Sequence, residues 1–231
     1  MTSATSDRDG ASRPERCGLR ADAERNRQRI LSAAREVYAE QGIDTPTAEV
    51  ARRAGVGIAT LFRRFPTRED LLAAVFAEKM TRYADLMDTA ADDPDPWQGF
   101  CSYVTAIAAM QCSDRGFTDV LTQTFPTAKG LEADRDRAFH RWVELISRAK
   151  AVGKLREDFV PEDLPMLLMA NAGVVAATIE AAPETSARLV AYLLHAFASR
   201  AAAPLPDPPS PHAMFNAMRR ASRQHPDPNR V

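Results

Sequence analysis

The sequence predicts an all-α protein, an N-terminal three-helix helix-turn-helix domain followed by a larger C-terminal helical domain. Three observations carry that expectation. Thr45 to Leu72, TPTAEVARRAGVGIATLFRRFPTREDLL, reads as two short helices around a glycine turn and the start of a third. Apolar residues recur at helical spacing on either side of it, and prolines and glycines cut the rest into helix-length segments. Towards the end, two segments are apolar almost all round, which demands a second covering layer.

Residues 1–20, rich in Ser, Thr, Asp, Arg and Gly, lack periodicity and are expected to be a disordered arm. Arg8, Arg13, Arg16 and Arg20 suit either contact with a DNA backbone or minor groove or a plain solvated tail, and composition favours the tail. Helix one spans 21–41, with Ile30, Leu31, Ala34, Val37 and Tyr38 as its apolar stripe, and ends at Gly42. Thr45 is placed to cap the second helix, with Pro46 at the first helical position. Val50 and Ala51 face inward, and Gly55 supplies the left-handed residue of the turn. Ile58 to Arg64 form the third helix, anchored by Leu61 and Phe65. The Ala51, Gly55, Leu61 spacing suits a helix-turn-helix, a device for reading DNA, and the first domain is expected to cover 21–66.

Thr67 caps helix four, with Glu69 and Asp70 in its first turn where the helix dipole favours carboxylates. The helix continues through Leu71, Leu72, Val75, Phe76, Met80, Tyr83 and Met87, and about twenty residues give it a reach of about 30 Å. Asp92 to Pro96 break the chain. Helices are expected over 97–113, 116–125 and 128–152, the last burying Phe139, Trp142, Val143, Leu145 and Ile146. Two final helices, 161–181 and 183–202, are split at Pro183. Met166, Met169, Ala170, Ala172, Gly173, Val174, Ala176 and Ala177 on the first, and Leu189, Val190, Tyr192 and Leu193 on the second, leave little polar face. Either a second subunit covers them or they are central in one chain; a two-by-two helix bundle is the expected reading. The second domain is thus 67–203. The Pro-rich tail, 204–231, is not expected to pack beyond a basic helical turn or two at 213–223.

The motif residues resemble one family. Ala54-Gly55-Val56, then Thr60-Leu61-Phe62-Arg63-Arg64-Phe65-Pro66-Thr67-Arg68-Glu69, are similar to the signature of TetR-family transcriptional regulators, and Asn26 to Ala34, running on to Tyr38 and Gly42, match its first helix. The resemblance covers roughly Arg25 to Phe76. It implies a homodimeric repressor of a palindromic operator, with a double-stranded DNA partner, self-association through 161–202 and an unknown small apolar or amphipathic effector. No cofactor and no metal are implied.

A recognition helix enters the major groove N-terminus first, so Gly57, Ile58, Ala59 and Thr60 are the expected base-facing turn. Ile58 and Ala59 suit thymine methyls, and Thr60 suits a phosphate or a local cap. Arg63 suits a base or a phosphate. By the resemblance, Arg64 stands where a backbone-contacting histidine is common, and Arg68 where a lysine is. Phe62 stands where tyrosine gives its hydroxyl to a phosphate, a bond phenylalanine cannot make. Thr47, early in the second helix, is placed to face a phosphate. Arg52 and Arg53 read as solvated or paired.

The resemblance also implies a ligand cavity in the helical body. Trp97, Phe100, Tyr103, Phe117, Leu121, Phe139, Trp142 and Met166 are candidate walls, each with ordinary core as the competing reading. Polar candidates are Tyr103, Gln111, Gln123, Thr124, His140 and Asn171. Asn171, inside an apolar helix, needs partners that are either a ligand or a backbone carbonyl across a dimer.

Composition sets limits around this. Net charge is −1 over 231 residues. Residues 1–70 hold 13 Lys/Arg against 11 Asp/Glu, a slight basic bias at the motif end. A non-specific DNA-packaging protein would be more basic. Cys17, Cys101 and Cys112 form no metal or CxxC pattern, and Cys101 and Cys112 are three helical turns apart, too far for a disulfide. No GxSxG, P-loop, HExxH or GxGxxG is present, so an enzyme is not expected. No apolar run suits a bilayer and no signal pattern opens the chain, so a cytoplasmic bacterial location is expected.

Overall fold

The computed structural model describes residues 13–199 and 204–221. The order is α1 (Arg13–Gln41), α2 (Thr47–Ala54), α3 (Ile58–Arg64), α4 (Arg68–Ala91), α5 (Pro96–Ser113), α6 (Arg115–Thr122), α7 (Lys129–Ala151), α8 (Asp163–Thr178), α9 (Thr185–Phe197) and α10 (Pro211–Ala221). The described residues contain no β-sheet, only an isolated antiparallel bridge between Leu155 and Ala198. No helix among them is long and apolar enough to cross a membrane.

The head forms as its pattern dictates. Ile30, Leu31, Ala34, Val37 and Tyr38 of α1 are buried against Val50, Ala51 and Ala54 of α2 and Leu61 of α3. Gly55 ends α2 at φ +62°, a region where a side chain is strained, and its N–H closes on the Arg52 carbonyl. Arg29 reaches across to donate to the Ala54 carbonyl at 2.8 Å, placing a cation on the end of α2. Arg53 pairs with Glu36 and Glu40 of α1, and Arg52 with Glu49.

Three expectations need correction here. α1 is helical from Arg13, where the described residues begin, so 13–20 are helical rather than an arm: the Glu, Arg, Leu and Ala among them favour helix. Arg8 lies outside the described residues. Thr45 does not cap α2; its hydroxyl donates to the Gly42 carbonyl at 3.0 Å, stabilising the α1–α2 corner, and Pro46 occupies the cap position. The tail does pack: α10 folds back on the body and buries Met218.

In the body, α4 is capped as expected, Thr67 and Asp70 making a reciprocal capping box. α4 and α7 form the most extensive helix pair. Arg137 of α7 pairs with Asp85 and Asp88, Arg141 with Asp88 and Asp92, and Arg148 donates to the Ala91 and Asp93 carbonyls. Phe100 of α5 centres an aromatic cluster, stacked on Trp97 at 5.4 Å and Trp142 at 5.0 Å, with Phe159 edge-on at 5.3 Å.

α8 and α9 are not central in the chain. α8 buries Leu164, Leu167, Leu168 and Asn171, while Met166 is 51% exposed and Gly173, Ala176 and Ala177 face outward. On α9, Tyr192 is 61% exposed. A buried polar chain fixes these helices to α5. Asn171 donates to Gln111 Oε1 at 2.9 Å and accepts from the Ser186 hydroxyl at 2.7 Å, while Gln111 donates to the Leu168 carbonyl. The expected partner of Asn171, a ligand or a carbonyl across a dimer, is therefore corrected: its partners are side chains of its own chain.

Removing one member strands the others in an apolar interior. Asn171→Leu is expected to cost roughly 2–4 kcal/mol by urea denaturation, and Ser186→Ala about 1 kcal/mol. Equal stability of Asn171→Leu and wild type would contradict the network's role.

Candidate nucleic-acid interface and effector cavity

α3 is half anchor and half open surface. Leu61 is buried on it, and Phe65 just beyond. Gly57, Ile58, Ala59, Phe62, Arg63 and Arg64 are exposed, with Ile58 40% and Phe62 39% accessible, and Thr60 is half-buried. Arg63 and Arg64 have no hydrogen-bond or ion-pair partner among the described residues, in contrast to the engaged Arg29, Arg52, Arg53 and Arg68. Two unpaired guanidiniums beside a solvent-facing isoleucine and phenylalanine give the helix apolar contact at one end and phosphate-seeking charge at the other.

Two predicted contacts sit differently. Thr47 is buried at the start of α2, leaving its turn's backbone N–H groups as that helix end's polar face. Arg68 is turned away from α3: its guanidinium donates to the Ile43 carbonyl at 2.5 Å and pairs with Asp44 at 3.1 Å. It braces the α1–α2 corner.

That corner is also held from the body. Asp119 of α6 accepts the Ile43 N–H through Oδ2 at 3.0 Å. Gly42, at φ +84°, lets the backbone come this close; a Cβ there would lie 2.8 Å from Asp119 Oδ2. Burial pushes the Asp119 carboxyl above its ordinary pKa, and the Ile43 N–H partly offsets the rise. The N-terminus of α6 is capped by Asp114, which accepts from Phe117 N–H and pairs with Lys79 of α4. Its C-terminal carbonyls, Val120 and Leu121, accept from Arg135 of α7.

The other side of α6 faces a cavity of about 310 Å³ lying between α6, α7, the start of α8 and α10. Leu121, Phe139 and Trp142, three of the candidate walls, line it. Thr124, 4% exposed, also lines it, and its hydroxyl has no hydrogen-bond partner. Phe139 is half exposed at the rim and Val143 faces solvent, correcting their expected burial.

The remaining candidates lie elsewhere. Trp97 and Phe100 belong to the closed aromatic cluster, and Phe117 packs on Phe76 beneath the head. Tyr103 is buried against Tyr83 and Trp142, its hydroxyl without a partner and its pKa pushed well up by burial. Met166 is on the outer surface and Asn171 in the polar chain. These corrections share a cause: helical spacing marks an inward side chain without distinguishing a filled interior from a hollow one. Glu132 and Arg135, at the cavity, and Asp119, at the corner, were missed because charged residues on amphipathic helices read as solvated.

Comparison with known proteins bears on this arrangement. Residues 30–75 match the family model described as bacterial regulatory proteins, tetR family. Over that head the chain is similar to the TetR family. It is 27% identical over 108 residues to an HTH-type transcriptional regulator of Staphylococcus aureus strain USA300, a match covering 42% of this chain and 58% of that protein. The chain thus spans less than two thirds of the curated relatives it matches. Among solved structures it is similar to a tetR-family transcription regulator from Shewanella sp. PV-4, at 25% identity and TM-score 0.52, covering 76% of this chain and 99% of that one. A tetR-family regulatory protein from Rhodococcus RHA1 shares the fold at 21% identity and TM-score 0.51, covering 74% and 95%.

Asp119 gives a pH-dependent test. Its folded pKa is raised, so its contribution to stability is greatest below the ordinary carboxylate range and declines as pH rises through the folded value. Asp119→Asn keeps an acceptor and removes the charge. Its stability advantage over wild type is expected to appear as pH rises through that range and to persist above it. Asp119→Ala strands the Ile43 N–H and is expected to cost roughly 1–3 kcal/mol at neutral pH. Denaturation curves across pH check both.

Proposed function

We propose that this chain is a TetR-family, ligand-responsive, homodimeric, DNA-binding transcriptional regulator, a repressor that leaves a palindromic operator when a small apolar or amphipathic effector binds. The observation that carries the reading is the α3 surface: Gly57, Ile58, Ala59, Thr60 and Phe62 forward, with Arg63 and Arg64 unpaired beside them. In this reading Ile58, Ala59 and Phe62 meet base edges and sugars, Arg63 and Arg64 meet a base or phosphates, and the start of α2 at Thr47 gives backbone N–H groups to a phosphate. Arg68 serves by holding the corner. The boundary between head and body falls at 66/67, with α1 wholly in the head, α4 shared and α10 packed on the body, and the protein works in the cytoplasm.

The outward faces of α8 and α9 support a dimer, since small residues allow close helix crossing and large apolar ones want cover. Two heads would then sit about 34–36 Å apart in successive major grooves. α6 and α4 support the coupling. α6 lines the cavity through Leu121 and holds Ile43 through Asp119, while α4 carries the head at one end and the ion pairs from α7 along its length. An effector that shifts α6 or α7 would change the head spacing, so effector and operator binding oppose each other reciprocally.

Two measurements test this. In selection from random duplex DNA, wild type is expected to enrich an inverted repeat, and Arg63→Ala/Arg64→Ala to lose at least tenfold in affinity for it; no enrichment by ligand-stripped wild type would overturn the reading. Gly173 has open space around its Cα, so Gly173→Arg is expected to fold normally yet sediment as a monomer and lose the repeat. A Gly173→Arg dimer that still binds would place the interface elsewhere.

A further inference from the structure

The C-terminal helix α10 closes one side of the cavity. Residues 204–210 are exposed, and Leu205 N–H is tied to Asp158 Oδ2 at 2.9 Å, so the strap crosses the body before α10 turns back. Met214, Phe215 and Met218 then face the cavity opposite Trp142 and Phe139. Phe215 remains 45% exposed, so α10 leaves the cavity partly open.

The polar groups at this cavity are unequal in sign. Glu132, Asp136 and Glu162 line it, against Arg135. The Arg135 Nη groups donate to the Val120 and Leu121 carbonyls and its charge is paired with Glu132, while its buried Nε lacks a hydrogen-bond partner. Asp136 and Glu162 line the cavity together with Phe139 and Trp142, rings whose faces attract cations, and make no ion pair among the described residues. Deeper in, the buried Thr124 hydroxyl lacks a partner.

We propose that this cavity is a site for an apolar molecule bearing an amine, and that α10 is its removable fourth wall. The inference rests on the proposed effector site and narrows its ligand class. The alkyl or aryl body lies against Trp142, Leu121 and Met218, a polar atom along it meets Thr124, and the ammonium sits between Asp136, Glu162 and the aromatic rim. A carboxylate or phosphate head is repelled by the same rim.

The test uses the full chain and three ligands of one length, decylamine, decanol and decanoate, titrated by calorimetry below their micelle concentrations. Decylamine is expected to bind at least tenfold tighter than decanoate, with decanol between them. Asp136→Asn/Glu162→Gln is expected to bring the three within threefold of one another, and Phe215→Ser to weaken all three. Both sets of substitutions lie at exposed or half-exposed positions, and circular dichroism checks the fold. Decanoate binding as tightly as decylamine, no binding of any of the three, or Phe215→Ser without effect would overturn the proposal. Operator selection on the same preparations separates the outcomes: an enriched repeat with no ligand preference sinks the amine site alone, whereas no enriched repeat sinks the regulator reading.

Discussion

The bond from Ile43 N–H to Asp119 Oδ2 is where the helical body takes hold of the head. The α1–α2 corner lies where the body meets the helix pair that carries α3. Arg68 grips that corner from α4, Asp119 grips it from α6, and Gly42 permits the approach by having no side chain. Tyr38, just inside the corner, stacks on Phe76 of α4, and the Tyr38 carbonyl and Cβ crowd Gly116 at the start of α6. The head is thus held by polar bonds at its edge and close packing beneath, an arrangement that resists sliding more than a purely apolar contact would. A raised carboxyl pKa at Asp119 is the cost of burying that anchor.

From there the body reads as two connected halves. One consists of α6, α7 and the start of α8 around the cavity, joined to α4 by the arginines of α7. The other is α5, α8 and α9, locked together by Gln111, Asn171 and Ser186. In the proposed dimer the second half is the fixed platform and the first is the part that responds. A fully satisfied polar chain suits a platform, since its hydrogen bonds specify one arrangement where small apolar residues would tolerate several. An unpartnered hydroxyl at Thr124 suits the responsive half, where a ligand can supply what the chain does not.

Much of the fold was legible because its punctuation is local. Gly55 supplies the left-handed turn residue and Thr67 caps α4, each readable within a few residues, whereas the Asp95 cap that starts α5 at Pro96 went unread inside an expected chain break. The α3 surface was legible for the same reason: one buried leucine among exposed neighbours is a statement about seven residues. The cavity was only half legible. Of the candidate walls and polar groups, Leu121, Phe139, Trp142 and Thr124 line it and Phe100, Phe117 and Met166 lie elsewhere, because whether an inward aromatic fills a space or borders one depends on neighbours distant in sequence. Asp119 and α10 were illegible on opposite grounds. A single acidic residue on a short helix gives no signal of the amide it will meet 76 positions away. A proline-rich tail hides the Met214, Phe215, Met218 face that docks.

The central claim is that the body sets the spacing of two heads through the α6 corner. Pulsed electron paramagnetic resonance with a nitroxide at Arg64→Cys, in a background lacking Cys17, Cys101 and Cys112, measures that spacing directly. For the otherwise unaltered DNA-free dimer the account predicts one narrow distance distribution, and for Asp119→Ala a clearly broader one at unchanged dimer content. Superimposable distributions for the two proteins would contradict it.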